Sequence, residues 1–175
     1  MKRIFSLLMI LVSLCFLSCC SFSNSDEEQA NECFYSFLNA LDNRSESQIK
    51  SLFAQNIYDY LEENDENSIG ELLNIYEGKS NFSGSAWHGT FNNMENGKKS
   101  KYHLLLADVE TSKDKYRIAI KWFVLDESDS NNVGIHSLYI IRFEEDPNKE
   151  YSYAGDGLWS NGINIGKVWS ENQSE

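Results

Sequence analysis

Basic residues are scarce in this chain. Its 175 residues include 15 Lys and Arg against 27 Asp and Glu, a formal net charge of −12. Proteins that bind nucleic acid rely on Lys and Arg at the phosphates, so no nucleic-acid partner is expected. For the same reason no basic patch is available for anionic lipid. There are three histidines, His88, His103 and His136, and none sits in a metal-binding spacing such as His-Glu-x-x-His. The chain also lacks a Gly-rich phosphate loop, a Ser-His-Asp order, a cysteine-rich metal cluster and any internal repeat. Its longest apolar run, residues 4–17, is too short to span a bilayer as a helix. Apolar and aromatic residues are plentiful, at 41% and 13%, which is too rich for a disordered chain and enough for one domain with a core.

Residues 1–18 read as a signal peptide. Lys2 and Arg3 form the charged start, and the apolar run follows. It ends in Leu17, Ser18, Cys19 and Cys20, which resembles the lipobox of bacterial lipoproteins, with Ser18 where such sequences usually have Gly. The small residue before Cys19 favours cleavage there and lipidation of Cys19. Cys20, with Leu17 three residues upstream, is the alternative. Cleavage removes Lys2 and Arg3, leaving 13 basic and 27 acidic residues, a balance of −14. The expected location is the extracytoplasmic face of the cell membrane, with a lipid anchor and a short tether over residues 19–25. Four cysteines would suggest disulfides in a secreted chain. Here Cys15 lies within the signal, one of Cys19 and Cys20 is acylated, and Cys33 falls on an apolar stripe, so no structural disulfide is expected.

Residues 26–168 read as one α+β domain, followed by a frayed terminus over residues 169–175. Asp26, Glu27 and Glu28 suit a helix start. Ala30, Cys33, Phe34, Phe37, Leu38 and Leu41 then recur at helical spacing. Ser45 with Gln48 suggests a capping box for a second helix. A short third helix is expected near residues 57–61. A fourth, capped by Ser68, carries Ile69, Leu72, Leu73 and Tyr76, and Gly78 stops it.

Strands follow. Residues 86–94 form the first, with Trp87, Gly89 and Phe91 expected on one face. Asn96-Gly97 is a strong hairpin signal. Alternating apolar and aromatic residues continue over 102–107, 116–125 and 135–143, which predicts an antiparallel meander. Helices first and an antiparallel sheet afterwards make an α+β pattern. A helical layer on a curved four-stranded sheet resembles the nuclear transport factor 2-like, or cystatin-like, cone.

Several residues are candidates for chemistry. His103 and His136 lie on strands and are expected to be neighbours across the sheet. With Trp87, Trp122 and Tyr139 they form the candidate pocket, because aromatic walls with a few polar groups suit ligand sites. Asp108, Tyr102 and Tyr139 are the further acid–base candidates. The acidic loop of residues 126–131 lacks the Gly and closing Glu of a calcium-binding EF-hand loop and reads as a solvated turn. Gly155, Asp156, Gly157, Trp159 and Gly162 form a tight segment expected to fold onto the domain. No catalytic residue, metal or cofactor is assigned.

The mature chain resembles a family of small lipoproteins from Gram-positive bacteria described only as a domain of unknown function. The likeness rests on an ordered set of segments: Phe37 to Leu41 with Leu52 and Phe53; Lys115 to Ile118; Asn132 to Leu138; and Gly155 to Trp159 with Gly162 and Ile163. His136 departs from it, standing where an aromatic residue is expected. The resemblance implies a nuclear transport factor 2-like fold and brings no substrate or catalytic residue. The expected role is therefore non-catalytic binding of a small apolar ligand or a surface protein. The alternative is a small lyase or isomerase working in the cone.

Overall fold

The computed structural model of the chain describes residues 25–63, 69–150 and 155–168. The signal peptide, Cys19, Cys20, most of the tether, the Ser68 cap and the frayed terminus lie outside the described residues. The helices are α1 (Asp26–Asp42), α2 (Glu46–Leu52), α3 (Gln55–Glu63) and α4 (Ile69–Ile75). The strands are β1 (Trp87–Glu95), β2 (Lys98–Glu110), β3 (Lys115–Asp126), β4 (Gly134–Arg142) and β5 (Gly162–Ile165).

The ends of α1 show how local chemistry sets its limits. The Ser25 side chain accepts a hydrogen bond from the Glu28 amide at 3.2 Å, and three acidic residues occupy the first turn. At the other end Arg44 adopts φ 51°, and the amides of Arg44 and Ser45 return to the carbonyls of Leu41 and Ala40. This is the bond pattern of a Schellman stop, built on Arg rather than Gly. Ser45 then caps α2 by accepting from the Gln48 amide at 3.4 Å. Its own amide is already engaged, so only half of the expected capping box forms.

The buried face of α1 packs on the sheet. Phe34, Phe37, Leu38 and Leu41 join Leu105, Val109, Ile118, Ile120, Leu138 and Ile140 in one core. Asp42 ties the end of α1 to α4, accepting from the Tyr76 hydroxyl at 2.9 Å and from the Ser80 amide and hydroxyl at 2.9 and 2.6 Å.

The sheet has the order β1-β2-β3-β4-β5, and its first four strands are antiparallel neighbours. Asn96 and Gly97, with φ 51° and 78°, make the β1–β2 turn, as Asn-Gly in a two-residue hairpin should. The sheet is five-stranded rather than four-stranded. β5 runs parallel to β4, pairing Leu138 with Ile163 and Tyr139 with Asn164. A parallel neighbour requires a crossover, and its residues 155–161 lie on the face away from the helices. There Gly155 lies against the Tyr139 ring, while Trp159 packs with Leu106, Ala119 and Tyr139 in a second small cluster.

Three register shifts interrupt the ladders, at Trp87/Gly89, Lys101/Tyr102 and Lys121/Trp122. Each places an extra residue in one strand and bends it. The first alters the expected face of β1: Trp87 lies with Thr90 toward the helices, whereas Gly89 and Phe91 face away.

Candidate functional site

Side chains alternate across a strand, and this separates the expected pocket into two groups. Trp87, His103 and Trp122 lie on the helix side. His136 and Tyr139 lie on the other. His103 and His136 are therefore not neighbours: β3 stands between their strands, and the two rings are on opposite faces. Among the described residues no group of three His, Cys, Asp or Glu side chains is placed to hold a metal ion.

His103 is fully buried. Its Nδ1 is 2.8 Å from the Thr90 hydroxyl, which also accepts from Trp87 Nε1 at 3.1 Å. Its Nε2 has no hydrogen-bond partner among the described residues. The Trp122 ring lies 5.6 Å away, and Asp26, paired with Lys101, lies nearby at the start of α1. Burial lowers the imidazole pKa below its ordinary 6.5, against the attraction of Asp26 and with the help of Lys101.

On the far face His136 ends a row of rings that crosses four strands. Phe91 stacks on Tyr102 with centroids 5.1 Å apart, and tilted contacts carry the row on from Tyr102 to Phe123 at 5.1 Å and from Phe123 to His136 at 4.4 Å. His136 thus fills an aromatic position as an imidazole, with Nε2 2.7 Å from the Asn132 carbonyl. Burial lowers its pKa as well; the Asn132 carbonyl and Asp126 raise it and Lys121 lowers it. Lys121 sits over the Tyr102 and Phe123 rings, 4.8 and 5.4 Å from their centroids, and burial lowers its pKa.

The two lowered imidazoles set a pH dependence. Between the folded and unfolded pKa values the unfolded chain binds more protons, so stability rises with pH through that window and levels off above about 6.5. Asp126, held at about 2 by Ser128 and Asn132, loses its contribution only in far more acidic solution. We therefore expect the urea midpoint to fall on moving from about pH 7.5 to about pH 5.5, and to fall less in His136→Phe. An equal drop in both proteins would show that His136 does not contribute.

The remaining acid–base candidates are already engaged. Asp108 accepts from Arg117 Nε at 2.9 Å. The Tyr139 hydroxyl donates to Asp156 at 2.8 Å and accepts from the Ser160 amide at 2.7 Å. Burial and the Asp156 carboxylate push its pKa up to about 12, too high for a base at neutral pH. Asp156 also accepts from the Leu158 amide, and the Trp159 carbonyl accepts from the Ser137 hydroxyl, so the glycine-rich segment is stitched to β4. In the acidic loop Asp126 accepts from Ser128, Asp129 and Asn132. Its carboxylate is turned inward to its own turn. Cys33 is a free, buried thiol, and burial pushes its pKa up to about 12.

A concave, largely apolar site lies elsewhere, between α1, the end of α2 and β3. A groove of about 540 Å³ is lined by Gln29, Glu32, Cys33 and Ser36 of α1, Ser51, Leu52 and Phe53 at the end of α2, Trp122 and Val124 of β3, and Val133 and Gly134. Of the pocket residues expected from sequence, it includes only Trp122. Apolar side chains make up much of its lining, joined by the polar Gln29, Glu32, Ser36 and Ser51. Gly134, at φ 136°, allows the α2–α3 junction to approach β4: the Ala54 amide donates to the Ile135 carbonyl at 3.1 Å, and Phe53 bridges to Ile135.

The molecule is thus an α+β protein with helices on one face of a five-stranded sheet and a largely apolar groove between α1, the end of α2 and β3. The chain belongs to the family described as Domain of unknown function (DUF5104), whose model matches residues 36–143. The match runs from the middle of α1 through β4 and stops before the glycine-rich segment. No curated protein matches the chain.

Proposed function

We propose that this protein is a lipid-anchored, extracytoplasmic binding module of the Gram-positive lipoprotein type, and that the groove beside Trp122 holds a small apolar molecule. The groove carries the reading. Its volume lies within the range of ligand sites, and apolar walls with a few polar groups are how such sites are built. The acid–base alternative has less support, because Asp108 and Tyr139 are spent on structural bonds. The same reading takes the fold as a nuclear transport factor 2-like cone. In its favour are a helical layer on one face and three bulges that bend the sheet; the parallel β5 is a departure from the expected four-stranded form.

The anchor rests on Leu17, Ser18, Cys19 and Cys20. Among the described residues no helix is long and apolar enough to cross a membrane. Labelling with radioactive palmitate should be lost in Cys19→Ala. Loss in Cys20→Ala instead would move the site, and no labelling of the wild type would remove the anchor.

The groove is tested with an environment-sensitive apolar dye such as N-phenylnaphthylamine. Binding to the wild type should saturate at one site. Val133→Trp, at the half-open rim, should weaken it at least about tenfold, or about 1.4 kcal/mol, with the far-UV spectrum unchanged. Equal affinity in both proteins would place the dye elsewhere and defeat the reading.

A further inference from the structure

The sheet is open along β1. This strand ends the strand order and is nine residues long, and no described backbone segment hydrogen-bonds to its outer edge. The opposite edge is only four residues long. Open edges are ordinarily guarded by Lys, by Pro or by shortness. β1 has none of these, and its one bulge is confined to the Trp87/Gly89 end; from Trp87 to Met94 it carries no Lys, Arg, Asp, Glu or Pro. An uncharged strip on a chain of net charge −12 is where two copies repel each other least.

The row of rings indicates what fits there. Phe91 is the last ring, on the edge strand, and 43% exposed. Its plane is only 9° from that of Tyr102, so one ring face covers Tyr102 and the other looks outward past the edge. The spacing along the row, 5.1 Å, is close to the roughly 4.8 Å between neighbouring strands. A strand added to β1 with an aromatic residue opposite Phe91 would continue the row without a break.

We infer that β1 pairs with β1 of a second copy, antiparallel about a two-fold axis at Phe91. Phe91 then faces its own equivalent, Thr90 faces Asn92 and Gly89 faces Asn93, so no like charges meet along the unbulged part of the strand. Such an axis stands normal to the sheet and keeps both helical layers on one side. Asp26, paired with Lys101 on the helix side, marks where the chain enters α1, and Lys101 is the partner of Asn92 in β1. Both chain entries therefore lie close to the axis and on the same face, as two anchors in one bilayer require.

The test uses the full chain in detergent, with mass measured by sedimentation. Wild type should run at twice the chain mass. Phe91→Lys and Phe91→Glu should each run at the single mass, because like charges then meet at the axis. An equimolar mixture of the two should return to the double mass. Hydrogen exchange should show the alternate, outward-pointing β1 amides protected in wild type and released in Phe91→Lys, with the β1 amides that face β2 and those of β2 to β4 protected in both, which separates lost pairing from lost fold. A single mass for wild type, a double mass for Phe91→Lys, or a mixture that stays single would each overturn the pairing. An extended peptide from another protein would then be the better occupant of this edge.

Discussion

Gly134→Ala should be among the most damaging single substitutions in this protein. A Cβ at this position would lie 2.4 Å from the Ala54 amide nitrogen and 2.7 Å from both Ala54 Cα and the Phe53 carbonyl carbon. All three are backbone atoms, so no side chain can swing aside to make room. The residue also sits at φ 136°, where side chains are rarely tolerated. Backbone strain of ~1–3 kcal/mol and overpacking of a similar ~1–3 kcal/mol together put the loss at ~2–6 kcal/mol. That is a large share of the ~5–15 kcal/mol that holds a domain together. Gly97→Ala is the control. It too has positive φ, 78°, but nothing lies within 4 Å of the added carbon, so only the strain term applies. Urea midpoints that fall equally in the two variants would refute the close approach of the α2–α3 junction to β4. Because Gly134 and Phe53 line the groove, the Gly134 variant should also bind the apolar dye poorly.

Arg117→Met should be comparably severe, for an electrostatic reason. The guanidinium is 4% exposed and meets Asp146, also 4% exposed, at 2.7 Å. It also donates to Asp108 and to the carbonyls of Asn148 and Lys149, and lies over the Phe143 ring. Burial opposes its charge, but the two carboxylates outweigh that effect and its pKa is raised. Without Arg117 the Asp146 carboxylate is buried and unpaired. Breaking a buried pair from one side costs ~3–5 kcal/mol, whereas replacing both partners by neutral groups costs far less. The double variant Arg117→Met/Asp146→Asn should therefore recover part of the loss. If it is no more stable than Arg117→Met alone, the damage comes from the lost contacts to the 148–149 backbone instead.

How much of this was legible in the sequence depends on the range of the interaction. The spacing of Phe34, Phe37, Leu38 and Leu41 marked the buried face of α1, because a helix repeats every few residues whatever lies across from it. Alternation marked β3 and β4 in the same way, and Asn96-Gly97 marked the hairpin because few other dipeptides accept two positive φ angles. The pocket was not legible. Period-two reasoning assumes an unbroken strand. The bulge beside Trp87 put that residue and Phe91 on opposite faces, and no single residue announces a bulge. His103 and His136 both read as sheet histidines, but only the order of strands and the alternation along each decide which face a ring joins.

What the sequence determined by itself is local: the helices, the strands, the tight turn and the acidic balance. Each rests on backbone geometry or on charge within a few residues, so neighbours along the chain suffice to define it. What only the tertiary structure decided is the pairing of distant parts. β5 joins β4 in parallel after a crossover, Arg117 meets Asp146, the α2–α3 junction rests on Gly134, and of the five expected pocket residues the groove takes in only Trp122. These depend on residues tens of positions apart meeting in space, and the spacing of residues along the chain does not encode which of them meet.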